Sequence, residues 1–182
     1  MPHATHLVTA EEFERWPDDG YRHELVKGRI VRMSRPGYRH GLIVGRVAFL
    51  LELHQQSRFG AIAPEAGVKL TTNPDTVRGP DVAFVRWDRM SSGIPRGFFN
   101  GAPDLAVEVV SPEDRPREVA DKTAEYLRYG VRVVVVIDPD ANTISAHRPQ
   151  TPALLLNNPD DVLDLDDVVP GFRCTVRDIL AP

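Results

Sequence analysis

The chain has 182 residues, which suits one domain with a real core, since a chain of ~150 residues hides roughly 70% of its unfolded surface. A net charge of -4 gives no overall basic field, so a nucleic-acid partner needs a local patch; the lone Cys174 excludes an intramolecular disulfide framework and a thiolate zinc cluster. No apolar run approaches the ~18 residues of a membrane span, and MPHATHLVTAEEF has no basic start followed by an apolar stretch, so the expectation is a soluble, cytoplasmic protein without a membrane partner.

Thr9 and Glu12 have the spacing of a capping box and predict a short helix over 10–16. HELVKGRIVRMS reads as two β runs joined at Lys27-Gly28, a tight hairpin closed by Pro36-Gly37. From His40 to about Ser57, Ile43, Val47, Leu50, Leu51 and His54 recur at helical spacing, with Gly60 as a stop. Residues 61–70 and 80–87 read as strands, with TTNPDTVRG as the turn between them. Leu105–Val110 is a strand ending at Ser111-Pro112, and residues 115–129 form a charged helix with Val119, Thr123, Tyr126 and Leu127 along one face. VRVVVVIDP has the β-branched continuity of a strand covered on both faces, and strand, helix, strand in that order predicts an α/β layer. NTISAHRP pairs beside it. LLL and VVPGF read as short edge pieces before a small helix near Val176–Leu180. Trp16 and Trp87 read as packing residues and Cys174 as a small buried filler.

Two of the strands carry an acid. Leu105, Val107 and Val109 face one way, and Asp104, Ala106, Glu108 and Val110 the other, so Glu108 lies among small or apolar neighbours. A desolvated carboxylate there must protonate, meet a cation or bind a metal. Asp81, opening the neighbouring β run in GPDVAFV, comes beside it if the two strands pair. Lys122 borders the apolar face of the following helix, from which its stem can carry the ammonium to the strand ends. Glu24 sits in the first hairpin, and His40 opens the long helix in line with Val44, Val47 and Leu51.

Two carboxylates and a lysine suit phosphodiester cleavage. Mg²⁺ prefers oxygen ligands and retains waters, so Asp81 and Glu108 can hold it, or Mn²⁺, while Lys122 orients or activates water or stabilises charge; Glu24 can assist a metal or water, and His40 can line the site. Each residue also has a plainer reading. Pro-Asp opens turns, an acid in a strand faces solvent, Lys122 is a solvated helix residue, and His40 is a helix-start histidine. Arg22, Lys27, Arg29, Arg32, Arg35 and Arg39 make a local basic excess around the hairpin, a phosphate path or an ordinary charged surface.

RGPDVAF with Asp81, LAVEVVSP with Glu108, DKTAEYLRYGV with Lys122, HELVKGRIVRMS with Glu24, the helix opening at His40 and the late VPGF together resemble the Uma-type putative restriction endonuclease family. That family is a branch of the PD-(D/E)XK nuclease superfamily. The superfamily's usual lysine, two residues after the second acid, is Val110 here; the resemblance carries the role to Lys122 on the next helix. Pro103-Asp104 precedes Glu108 too closely for the usual motif, which leaves Asp81 as the first acid. Val133, Val134 and Val135 depart from the family's acidic-aromatic stretch.

The resemblance implies a restriction-endonuclease-like α/β core over residues 1–182, a mixed β-sheet flanked by helices, with an N-terminal helix and β-hairpin. It implies a divalent-metal-dependent DNA phosphodiesterase, an endonuclease with Asp81 and Glu108 as metal ligands helped by a backbone carbonyl near Val109, and a homodimer. The alternatives are a non-catalytic nucleic-acid- or protein-binding module on the same scaffold, and a structural dimer in which the acids pair with Lys122 and the arginines.

Overall fold

The structure, a computed structural model, describes residues 6–181; the opening MPHAT, part of the stretch read above for a leader, and Pro182 lie outside it. The first helix, α1 (Ala10–Glu14), is shorter than expected but carries the capping box: the Glu12 amide donates to the Thr9 hydroxyl, and the Thr9 amide to the Glu12 carboxylate. Strands β1 (Arg22–Val26) and β2 (Arg29–Met33) form the expected hairpin. Lys27 and Gly28 both take positive φ, at 50° and 73°, the backbone that closes a two-residue turn with the twist of the strands.

Helix α2 (Tyr38–Gln55) buries His40, Ile43, Val44, Val47 and Leu51 on one face. His54, counted above with the apolar positions, is exposed and bonds to the Pro170 carbonyl. After α2 the chain makes β3 (Gly60–Pro64), β4 (Val68–Thr71), β5 (Thr76–Arg78) and β6 (Val82–Arg86). Residues 61–70 are therefore two strands in different sheets, and part of the expected turn is itself a strand. The break falls at Glu65, which takes φ 56°, and at Gly67, where a Cβ would collide with Phe98.

A single 3-10 turn (Trp87–Arg89) leads to β7 (Phe99–Asn100), β8 (Leu105–Val109), α3 (Pro116–Arg128) and β9 (Val133–Asp138). Then come β10 (Thr143–His147), β11 (Leu154–Leu156), β12 (Val162–Asp164), β13 (Arg173–Thr175) and α4 (Val176–Leu180). VVPGF is a turn between β12 and β13, which pair as a small ribbon, so it is not the edge piece expected. Trp16 and Trp87 are 45% and 37% exposed, which corrects their reading as packing residues; the Trp87 indole instead donates to the Ser57 carbonyl.

The main sheet runs β11-β10-β9-β8-β6-β3, with β8 and β9 parallel and every other pair antiparallel, and the chain is thus mixed α/β. Side-chain alternation divides β9 between two layers. Val133, Val135 and Ile137 pack with α2 and α4, while Val134 and Val136 pack with Tyr126 of α3. A second sheet, β2-β1-β5-β4-β7, stands beside the first and brings the hairpin toward the ends of β6 and β8.

Candidate active site

Strand pairing brings the two acids together. Val82 of β6 pairs with Val107 of β8, so one step along the antiparallel ladder Asp81 meets Glu108, and directly opposed residues share a face. Asp81 is buried where β6 begins. Its Oδ2 accepts from the Val109 amide at 2.7 Å and stands 3.2 Å from His40 Nε2, delivered by the first turn of α2.

Glu108 has both oxygens engaged. Lys122 Nζ donates to Oε2 at 2.9 Å and the Tyr126 hydroxyl to Oε1 at 2.8 Å, one turn of α3 apart. Lys122 also reaches Glu24 Oε1 at 3.2 Å. Glu24 points inward from β1, is 4% exposed, and accepts from Arg78 at 2.7 Å and from the Gly79 amide at 3.1 Å. Arg78 in turn donates to Glu125 at 2.6 Å. Glu24, His40, Asp81, Glu108 and Lys122 all line one cleft of about 1040 Å³. Lys122 is 17% exposed along its side chain, so its reading as a solvated helix residue does not describe this site.

Burial sets the charges here. It pushes the Glu108 carboxyl up to about 7; Lys122 draws it down, while Asp81 and Glu24 add to the rise. Burial also pushes the Lys122 ammonium down, but Glu108 and Glu24 outweigh it and leave the pKa raised, so the group stays charged. Burial lowers His40 as well, and its bond to Asp81 more than offsets that, leaving it raised. His40 Nδ1 is buried without a hydrogen-bond partner among the described residues.

Asp104 lies at the other end of β8, where its carboxylate takes the Arg86 amide at 3.0 Å and Arg89 at 3.2 Å, apart from the cleft. Val133, Val134 and Val135 are buried in the sheet and do not line this cleft. Of the six basic residues around the hairpin, Arg22, Lys27 and Arg32 line the cleft; Arg39 is turned to Asp140 and Arg35 to the Gly20 carbonyl.

Sequence reasoning missed Tyr126, Arg78 and Glu125. Tyr126 is four residues after Lys122, and that spacing was a usable signal, since a helical neighbour of the lysine meets the same acid. Arg78 lay inside the stretch read as a turn.

Among the described residues no group of three or more His, Cys, Asp or Glu side chains is clustered to hold a metal ion. The donor set nevertheless fits Mg²⁺ or Mn²⁺. Asp81 and Glu108 offer hard oxygen donors side by side in a cleft, burial with the added repulsion of Asp81 and Glu24 raises the Glu108 pKa, and an ion that keeps several waters needs only one or two protein carboxylates.

The model of the Uma2 family, described as putative restriction endonuclease, matches residues 10–177. No curated protein matches the chain. A crystal structure of a putative nuclease belonging to DUF820 from Anabaena variabilis superposes with a TM-score of 0.84 at 22% sequence identity, covering 96% of this chain and 98% of that one. At that identity the likeness speaks for the fold alone.

Proposed function

The chain belongs to the Uma2 putative restriction endonuclease family, and from that premise we propose that it is a divalent-metal-dependent DNA phosphodiester hydrolase, built as a single restriction-endonuclease-like domain. The observation that carries the reading is the convergence of Asp81 and Glu108, from sequence-distant strands, on one cleft with Lys122 between Glu108 and Glu24.

In this reading Asp81 and Glu108 hold Mg²⁺ or Mn²⁺, with Glu24 available to assist. When bound, the ion supplies Lewis-acid polarisation of a phosphate oxygen and eases ionisation of water. The remaining work belongs to the chain. His40 and the Val109 amide fix Asp81 from two sides. Glu108 and Glu24 hold Lys122 as an ammonium, which has a third N–H beyond its bonds to them and with it orients water or stabilises charge on phosphate. Tyr126 and Arg78 act through Glu108 and Glu24 as positioning residues.

Asp81→Asn should abolish plasmid cleavage in Mg²⁺ or Mn²⁺ while circular dichroism and melting stay those of a folded protein; full cleavage by that variant refutes the assignment. The self-satisfied network of Lys122, Glu24, Glu108, Arg78 and Glu125 favours a second reading, a non-catalytic binding module. Nucleic-acid binding unchanged by EDTA, with no turnover in any divalent ion, would establish it.

The chain acts in the cytoplasm as a homodimer in this proposal. No helix of the described residues is long and apolar enough to cross a membrane. The dimer surface is the outer face of α2, where Tyr38, Leu42, Phe49 and Leu53 are 86%, 53%, 62% and 57% exposed. Nothing stands near a Cβ added at Gly41 or Gly45, so this face is open to close approach by a second copy.

A further inference from the structure

The cleft that holds the carboxylates has two walls of opposite charge. On one side the β1–β2 hairpin contributes Arg22, Lys27 and Arg32. Arg22 is steadied by Glu65 at 3.1 Å, and the Arg32 guanidinium lies over the Tyr21 ring. On the other side the approach to α3 and its first two turns contribute Glu113, Asp114, Glu118 and Asp121, all exposed. Arg115 and Arg117 stand 3.5 and 3.9 Å from Glu118 and Asp121, but they do not line the cleft and their side chains are 81% and 92% exposed. Those pairs offset part of the acidity, but among the residues of this wall that line the cleft the acids outnumber the bases, Lys122 and Arg128. The acidic wall therefore faces the basic one across the carboxylates.

A third feature shares this space. Phe13 of α1 and Phe98, just before β7, stack at 5.6 Å between centroids with 23° between planes, and both are half-buried in the cleft lining. A buried core pair would offer no face to a ligand. These two pack on Ala10, Leu25 and Val77, and Phe98 lies against Gly67, but both retain some exposure in the cleft lining.

We propose that the cleft takes a single strand of nucleic acid, its phosphates along the hairpin and its bases toward Phe13 and Phe98, and that the acidic wall of α3 rejects a duplex. The inference rests on the phosphodiesterase reading and names its substrate class. A single strand brings one backbone, which the hairpin neutralises, and unpaired bases with free faces for aromatic stacking. A duplex brings a second backbone toward Glu118 and Asp121, and its base faces are already stacked on one another. Specificity then comes from a repulsive element as much as an attractive one. Size agrees: about 1040 Å³ is the scale of a pocket for a small ligand, room for a few unpaired nucleotides.

The test is fluorescence anisotropy of the full chain in Ca²⁺, with a labelled mixed-sequence DNA strand, alone and annealed to its complement, and with probe integrity checked on a gel. The strand alone should bind about tenfold or more tighter than the duplex. Arg32→Ala should weaken strand binding about threefold and lower its salt slope by about one. Glu118→Gln with Asp121→Asn should tighten duplex binding and narrow the gap. All three substituted residues are exposed, so the fold should tolerate the changes. Equal or tighter binding of the duplex overturns the proposal, and so does a gap that the double substitution leaves unmoved. Strand-selective binding in Ca²⁺ with no hydrolysis of either form in Mg²⁺ or Mn²⁺ sinks the phosphodiesterase reading and leaves this one standing; hydrolysis in Mg²⁺ or Mn²⁺ with duplex-selective binding does the reverse.

Discussion

Glu108 is held by a lysine and a tyrosine, yet burial still pushes its carboxyl up to about 7 from an ordinary 4.5. An acid whose pKa is raised by folding binds more protons folded than unfolded between those values, so its contribution is fully present below pH 4.5 and is lost as pH rises through about 7. A tenfold change in proton affinity between the unfolded and folded chain is worth about 1.4 kcal/mol. In EDTA, the melting temperature of the wild type should therefore carry a falling component between pH 4.5 and 7 that Glu108→Gln lacks; parallel profiles for the two proteins would mean that Glu108 titrates normally. At this scale the sequence was legible where a residue broke its local pattern. Glu108 stood out in an apolar strand and Asp81 at the mouth of another. Tyr126 and Arg78 did not stand out, because a tyrosine on an apolar helix face and an arginine beside Gly79-Pro80 fit their local patterns well, and only their partners give them a role.

At the scale of elements, the strongest local signals became the expected structures: the capping box at Thr9, the Lys27-Gly28 hairpin, the run of α2 and the valines of β9. The failures lie where a strand changes sheets. Residues 61–70 read as one β run because local propensity does not register that β3 pairs with β6 while β4 pairs with β5, and the switch needs the positive φ of Glu65. Helix α2 serves two purposes with opposite faces. Its inner face fills the core through Val47 and Leu51, and its outer face leaves Phe49 in solvent. Phe49→Glu should convert a dimer to a monomer in sedimentation velocity without lowering the thermal stability of the monomer. A dimer that survives this charge locates its interface elsewhere.

At the scale of the molecule, the pairing of β6 with β8 and the packing of α3 on the sheet place three carboxylates and an ammonium in one cleft. A ligand that binds the folded chain alone stabilises it by mass action. Mn²⁺ in excess should therefore raise the melting temperature of the wild type and leave that of Asp81→Asn unmoved; no shift in the wild type removes the proposed metal site. This readout needs no turnover and so separates binding from hydrolysis.

The sequence by itself determined the local alphabet: where helices start, which runs extend, which acids sit in apolar company, and a family likeness resting on the order of those motifs. Capping, periodicity and β-branching act between residues close in the chain, and one sequence displays them directly. Only the tertiary structure decided that Asp81 meets Glu108, that Lys122 bridges Glu108 to Glu24, and that the hairpin and α3 line the same cleft. Those relations join residues tens of positions apart, and they come into being only when strand register and sheet order bring them within a few ångströms, where charge and desolvation take effect.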